Sequence, residues 1–391
     1  MLFVILSYII INDLTEAFRM NVLICPDSYK GSADALCVAR AVKRGFERVS
    51  SDFECIALPV ADGGEGSVAV IADALCAQWH EVRVKGPYGE EVTAKYAISG
   101  ERAYIEMAEA SGICLSDRRE PLFASTYGTG EMILDAIEHG AREITVFIGG
   151  SATCDGGIGM AAAIGYRFLD KNGDELLPIG RSLSEISRIL PPAKNEFESI
   201  RVSCACDVKN TLYGKLGAAY VFAPQKGAGE KEVAELDRGL ENLARVIEKD
   251  LCVDVRALEG GGAAGGLGAG LYAFCGARMC GGFAFISGTL GLEQRIAKAD
   301  AVITGEGCTD TQSVMGKVIG EISAACNRYK KPCIVISGMV KEGDRLIALG
   351  ISKHYSCTDI AGSAELSIKE PEKYIESAAG AAAKMLISEL R

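Results

Sequence analysis

The sequence has few histidines and no CxxC pair, and this scarcity argues against a zinc protein. Only three histidines occur in 391 residues, His80, His139 and His354, and none lies beside paired cysteines. The 15 cysteines are odd in number and scattered along the chain. We therefore expect most of them to be reduced and buried in a cytoplasmic protein.

Positive charge is also in deficit. The chain carries 41 Lys and Arg against 52 Asp and Glu, which gives a formal net charge of −11 and a pI near 5.1. Non-specific nucleic-acid binding requires a basic surface, so no nucleic-acid partner is expected.

No membrane partner is expected either. The apolar run at residues 1–11 is too short to span a bilayer, and it lacks the basic start and cleavage site of a signal peptide. We interpret residues 1–19 as an extension outside the fold, with Met20 as the natural start; a functional anchor is the alternative.

Short apolar runs alternate with amphipathic stretches, which predicts an α/β protein with a largely parallel sheet. Alternation of polar and apolar residues with Gly-Pro and Tyr-Gly turns, from about Val82 to Ile105, indicates an antiparallel hairpin. Ser32 is predicted to cap a helix that runs to Val49, and an alanine-rich helix closes the chain. Buried strands are predicted at residues 21–25, 53–60, 143–149, 201–206, 300–304 and 331–337.

Two domains are expected, because 391 residues suffice for two cores and the strands near both termini are alike. The first is a Rossmann-like parallel-sheet domain built from both termini, at residues 20–85 and 290–391. The second is an inserted α/β domain at residues 86–289.

Four loops that pair glycine with acidic or hydroxyl residues follow predicted strands. Ligands of open α/β sheets gather at the carboxyl ends of strands, where glycines let backbone amides approach phosphate. Carboxylates there hold Mg²⁺ or accept a proton, although Asp62 and Asp155 have helix capping as an alternative role. The four loops are named the Asp27 loop (Pro26–Gly31), the Asp62 loop (Asp62–Gly66), the Gly150 loop (Gly149–Gly157) and the Glu306 loop (Thr304–Asp310).

The usual nucleotide fingerprints are missing. No GxxxxGK[ST] motif occurs, which excludes a P-loop enzyme. The Gly-rich run from Gly260 to Gly268 follows Leu258-Glu259 and not a strand, so a dehydrogenase is disfavoured and close packing at a helix start is the alternative. Lys30, Lys226 and Lys317 lie in loops beside glycine or proline, which makes an anion contact as well supported as a solvated surface role, and both stay open.

From Met20 almost to the C-terminus, the chain resembles the bacterial type I glycerate kinases, a glycerate 2-kinase family. The resemblance rests on a series of motifs in the same order. They are Pro26–Gly31, Pro59–Gly66, Ile105–Ala108, Gly128–Glu131, Ile148–Thr153 with Asp155–Gly157, Cys206–Val208, Ala223–Ala228, Gly262–Gly268 and Thr304–Gly307.

The resemblance implies a two-domain ATP:glycerate phosphotransferase that uses Mg²⁺. Its expected partners are D-glycerate and ATP, and its expected product is 2-phosphoglycerate. The oligomeric state stays open, with a homodimer as the assembly considered.

Residue chemistry and loop position assign roles within this reaction. Asp207 or Asp62 is predicted to orient and deprotonate the glycerate hydroxyl. Lys30 and Lys226 are predicted to hold the carboxylate or the transferring phosphoryl group. The predicted phosphate and nucleotide contacts are Gly149, Gly150, Ser151, Thr153, Gly305 and Gly307. The predicted metal-side acids are Asp27, Asp155, Glu306 and Asp310.

The chain departs from the family pattern at three places. Similar proteins usually carry Asn at Cys154, a pair such as Arg-Ile at Cys308-Thr309, and Pro at Ile319. Loss of a cation at residue 308 predicts weaker binding and not loss of activity. Two alternatives stay open: a kinase for another small hydroxy acid, such as tartronate or a sugar acid, and a non-catalytic nucleotide or glycerate sensor.

Overall fold

A computed structural model of the chain describes residues 19–194, 196–310, 318–341 and 343–389. The chain divides into two compact units. The first comprises the segment that ends at Ala61 and the segment that begins at Ser287, and the second is Asp62–Ile286.

Strands and helices alternate along most of the chain. The strands are β1 (Met20–Ile24), β2 (Phe53–Ala57), β3 (Gln78–Lys85), β4 (Glu91–Ser99), β5 (Arg102–Glu106), β6 (Glu143–Phe147), β7 (Arg167–Leu169), β8 (Arg188–Leu190), β9 (Arg201–Ala205), β10 (Arg278–Cys280), β11 (Ala301–Thr304), β12 (Cys308–Thr309), β13 (Cys333–Ser337), β14 (Met339–Val340) and β15 (Lys353–Ser356). The helices are α1 (Ala35–Glu47), α2 (Ser67–Leu75), α3 (Ala108–Ser111), α4 (Tyr127–Glu138), α5 (Ile158–Ala163), α6 (Ala218–Phe222), α7 (Glu230–Leu251), α8 (Ala263–Cys275), α9 (Gly282–Leu290), α10 (Leu292–Lys298), α11 (Val318–Tyr329), α12 (Gly343–Ala348), α13 (Cys357–Ala361), α14 (Ala364–Lys369) and α15 (Pro371–Glu389).

The first unit holds a parallel sheet in the order β15-β13-β11-β1-β2. Every residue of β11 and β13 is buried, which explains why these strands are apolar in the sequence up to their last residues, Thr304 and Ser337. Helices α1 and α15 approach closely at Gly45, where a Cβ atom would lie 2.5 Å from the Cβ of Ala379. The predicted mixed α/β class with parallel strands is confirmed.

The second unit holds a six-stranded sheet in the order β10-β9-β6-β5-β4-β3. Strands β5, β6, β9 and β10 are parallel, whereas β3 and β4 are antiparallel to their neighbours. Strand β3 pairs with β4 from Gln78 to Lys85 within the second unit, which begins at Asp62, whereas the expected boundary lies at residue 85. The other crossing, at Ser287, lies near the predicted residue 290.

Two local predictions have different outcomes. Helix α1 is capped by Asp34, whose Oδ1 accepts from the Cys37 amide at 2.7 Å, and not by Ser32, whose hydroxyl donates to the Tyr29 carbonyl. Close packing of the Gly260–Gly268 run is confirmed. A Cβ atom on Gly265 would lie 2.0 Å from the Thr153 carbonyl oxygen, and one on Gly268 would lie 2.3 Å from the Gly260 carbonyl oxygen.

No helix among the described residues is long and apolar enough to cross a membrane. All fifteen cysteines lie in the described part of the chain as free thiols.

Candidate active-site loops

The first unit places two of the predicted loops at a topological switch point. From β1 the chain continues through α1 to β2 on one side, and from β11 it continues to β13 on the other, while β1 and β11 are neighbours. Crevices at such reversals, outside the carboxyl ends of the strands, are the usual ligand sites of open α/β sheets. The Asp27 loop follows β1 and the Glu306 loop follows β11.

These two loops touch each other. The Asp27 amide donates to the Gly305 carbonyl at 2.8 Å. A Cβ atom on Gly307 would lie 3.1 Å from the Lys30 amide nitrogen, and one on Gly305 would lie 1.6 Å from the Ile336 carbonyl oxygen. Gly305 therefore excludes a side chain, because the Ile336 backbone occupies the space, whereas at Gly307 a side chain would fit only if the neighbouring backbone shifted slightly.

The charged residues of these loops differ in exposure. Lys30 is exposed, Glu306 and Asp310 are half-buried, and Asp27 is only 7% exposed with its Oδ1 accepting from the Ser28 amide at 2.6 Å. The predicted nucleotide and metal roles of this group stay predictions. Lys317 lies outside the described residues.

The second unit gathers the Asp62 loop, the Gly150 loop and Asp207 in one place. Asp207 follows β9 and is exposed, and its Oδ1 accepts from the Gly282 amide at 2.7 Å. A Cβ atom on Gly282 would lie 2.6 Å from the Gly63 Cα and 3.1 Å from Asp207 Oδ2. A Cβ atom on Gly149 would lie 2.9 Å from the Gly64 Cα. Glycine at these contacts is what lets the three segments meet.

The Gly150 loop is anchored in a way that leaves amides available. The Gly150 carbonyl accepts from the Ile113 amide at 2.8 Å, and the Ala152 amide donates to the Ser111 carbonyl at 2.9 Å. Within the described part of the chain, the amides of Gly149 and Gly150 donate no hydrogen bond. Gly150 is exposed with φ +73°, so this turn suits an anion at its outer side.

Lys226 lies beneath the Gly150 loop and not at its surface. It is 3% exposed, and its Nζ donates to Ser151 Oγ and to the Thr153 carbonyl, each at 2.6 Å. Burial lowers the pKa of Lys226 from 10.5 to about 8, against the opposing influence of neighbours that include Asp155. A direct substrate contact stays a prediction, which this burial disfavours.

Asp155 is fully buried and its carboxylate is occupied by donors from the protein. Oδ2 accepts from the amide and hydroxyl of Thr126, each at 2.8 Å, and from the Gly159 amide, while Oδ1 accepts from the Gly157 amide. Burial raises the pKa of Asp155, and these hydrogen bonds oppose the rise. The contacts favour the capping alternative and disfavour the predicted metal role. Thr153 is also fully buried, which disfavours its predicted phosphate contact.

Two further residues qualify the sequence reasoning. Glu106 ends β5 with its side chain buried and bonded to the amides of Gly66 and Val68, yet the sequence offered only its place in the Ile105–Ala108 motif. Cys154, a departure from the family pattern, is fully buried, and burial raises the pKa of its thiol to about 12. A neutral thiol therefore fills that core position.

Glycine-rich, acidic loops at the carboxyl ends of parallel strands are the feature by which many α/β proteins bind phosphorylated ligands. Comparison with known proteins makes this more specific. The sequence model of the Glycerate kinase family matches residues 22–387, so the chain belongs to that family and is a kinase.

Named relatives agree with this membership. A glycerate kinase of Halalkalibacterium halodurans is 41% identical over 92% of this chain and 96% of its own length. A glycerate 2-kinase of Escherichia coli K12 is 45% identical over 83% of this chain and 86% of its own. A crystal structure from Salmonella typhimurium LT2, provisionally assigned as glycerate kinase 2, superposes with a TM-score of 0.84 at 40% identity, covering 95% of this chain and 99% of that one.

Proposed function

We propose that this protein transfers the γ-phosphoryl group of ATP to the 2-hydroxyl of D-glycerate and yields 2-phosphoglycerate and ADP. Family membership supports a glycerate kinase, and a relative named glycerate 2-kinase supports the regiochemistry. The observation that carries the chemistry is the exposed Asp207 carboxylate, held by a backbone amide at the carboxyl end of a parallel strand.

Asp207 is proposed to orient the acceptor hydroxyl and to take its proton. A bond then forms between that oxygen and the γ-phosphorus, the bond from phosphorus to the β–γ bridging oxygen breaks, and ADP leaves. The Gly282 amide fixes the carboxylate before the substrate arrives, so little reorganisation accompanies the reaction. Asp62 is proposed to help align the same hydroxyl, because its loop packs against Gly282.

The remaining residues are proposed to bind anions. Lys30 is exposed and suits the glycerate carboxylate or the transferring phosphoryl group. The amides of Gly149 and Gly150 suit phosphate oxygens. Lys226 is proposed to act through the Gly150 loop, because its ammonium donates hydrogen bonds to Ser151 and Thr153 of that loop.

A bound Mg²⁺ would neutralise phosphate charge, and Asp27, Glu306 and Asp310 are the carboxylates whose position suits it. Among the described residues, no group of three or more His, Cys, Asp or Glu side chains could hold a metal ion alone. This fits Mg²⁺, which kinases hold through one or two carboxylates together with substrate phosphates. Asp155 does not fit, because four donors from the protein fill its carboxylate.

The test is turnover of purified protein with ATP, Mg²⁺ and D-glycerate, with products resolved by phosphorus NMR. We expect 2-phosphoglycerate; the 3-phosphate would refute the regiochemistry, and turnover of another hydroxy acid alone would refute the substrate. Asp207→Asn is expected to lower kcat by about 10²- to 10⁴-fold. The exposed Asp117→Asn is the matched control and should leave kcat unchanged.

A further inference from the structure

Glu106 is a buried acidic side chain to which the reaction described above gives no role. It ends β5 and is 8% exposed. In the described part of the chain no lysine or arginine forms an ion pair with it. Burial raises the pKa of Glu106, and the negative charges of Glu109 and Glu65 raise it further. A carboxylate in such surroundings is costly unless hydrogen-bond donors compensate for the lost water.

The compensating donors belong to the start of α2. Glu106 Oε1 accepts from the Val68 amide at 2.8 Å, and Oε2 accepts from the Gly66 amide at 3.3 Å. The first amides of a helix lack partners within the helix, and Gly66, at the capping position, has no side chain to bond them. Glu106 therefore caps this helix from a strand that lies 38 residues further along the chain than Val68.

The capped end is also the end of the Asp62 loop. Gly66 closes that loop, Gly63 and Gly64 pack against Gly282 and Gly149, and Asp62 Oδ1 accepts from the Gly64 amide at 2.9 Å. The loop is thus held at one end by glycine contacts beside Asp207 and at the other end by Glu106.

We propose that Glu106 is a positioning residue, whose buried carboxylate holds the Asp62 loop, and with it Asp62, in the geometry that the phosphoryl transfer uses. It acts through the loop and touches no substrate. The effect on turnover rests on the proposed function, whereas the clamp itself does not.

Glu106→Gln tests the proposal, because the amide keeps the side-chain size but replaces one acceptor with a donor that opposes a backbone N–H. We expect hydrogen exchange at Gly66 and Val68 to accelerate at least tenfold, and kcat for D-glycerate to fall about 10- to 100-fold with KM for ATP unchanged. Glu101→Gln, at an exposed position just before β5, is the control and should change neither. If the glutamine variant does not fold, Glu106→Asp repeats the test, since it keeps the charge but shortens the reach.

A double-mutant cycle with Asp62→Asn separates positioning from mere structural support. If Glu106 acts through the Asp62 loop, Glu106→Gln should lower kcat less than twofold in the Asp62→Asn background. Additive effects would overturn the proposal, as would unchanged kcat despite faster exchange or unchanged exchange at both amides. Absence of glycerate turnover in the parent enzyme would instead refute the proposed function, and hydrogen exchange would still decide whether the clamp exists.

Discussion

Replacing Lys226 by methionine should show that the buried ammonium of Lys226 lowers the free energy of unfolding near neutral pH. The ammonium is 3% exposed and has two neutral oxygens, of Ser151 and Thr153, as its hydrogen-bond acceptors. Methionine fills a similar volume without charge or donors, so the variant removes both the burial of a charge and the two hydrogen bonds.

The magnitude follows from the lowered pKa. Folding lowers the pKa of Lys226 from 10.5 to about 8, which corresponds to about 3 kcal/mol of destabilisation below pH 8. Between pH 8 and 10.5 the unfolded state keeps the proton and the folded state has released it, so the contribution of Lys226 to stability rises with pH. From pH 7 to 9.5 the parent should therefore gain about 2 kcal/mol relative to Lys226→Met.

The assay is urea unfolding of both proteins at these two pH values, read as a difference in unfolding free energy. The difference is needed because burial raises the pKa of thiols such as Cys25 and Cys204. The stabilising contribution of these thiols therefore falls as the pH rises, and it does so equally in both proteins. Lys231→Met, which removes an exposed lysine, is the matched control and should show no such pH dependence.

A pH-independent difference would refute the reasoning, since it would mean that Lys226 titrates alike in the folded and unfolded states. A difference that shrinks with pH would refute it more strongly, because the folded state would then favour the charged lysine.

Three further predictions rest on other contacts. Gly305→Ala should lower the unfolding free energy by about 3 kcal/mol or more, because its Cβ would lie 1.6 Å from the Ile336 carbonyl oxygen; Gly173→Ala, with open space around it, should lose only about 1 kcal/mol by the same urea assay. Asp155→Asn should destabilise the protein by about 2 kcal/mol or more by thermal melting, through donors left opposing its new amide; an unchanged melting temperature with weakened Mg²⁺ dependence would restore the metal role. Lys30→Met should lower kcat about 10²-fold with the melting temperature retained, since Lys30 is exposed; near-parental kinetics would remove Lys30 from the site.

Much of the fold could be predicted because buried parallel strands have a strong sequence signal. Strands β11 and β13 are apolar up to their last residues, Thr304 and Ser337, and the predicted ranges 300–304 and 331–337 agree with the observed strands within two residues. The unit boundary at Asp62 could not be predicted, because it depends on which sheet β3 joins, and that pairing with β4 is set by tertiary contacts. The helix cap was missed for a local reason: Asp34 and Ser32 are both good capping residues, and the Ser32 hydroxyl is used in the preceding turn.

The site was harder to predict than the fold, because composition does not separate the polar residues of a loop that face solvent from those that face the interior. A glycine-rich turn between a strand and a helix leaves several amides without helical partners, and some of these amides point inward. Asp155 and Glu106 satisfy such amides, so their carboxylates are already engaged before any ligand binds. Asp207 and Lys30 are the members of the predicted set that are both charged and exposed, which leaves them able to reach a substrate. Burial therefore divides the candidates into buried residues that stabilise the loops and exposed residues that can contact a substrate. The predicted catalytic roles are best tested first on the exposed residues, Asp207 and Lys30.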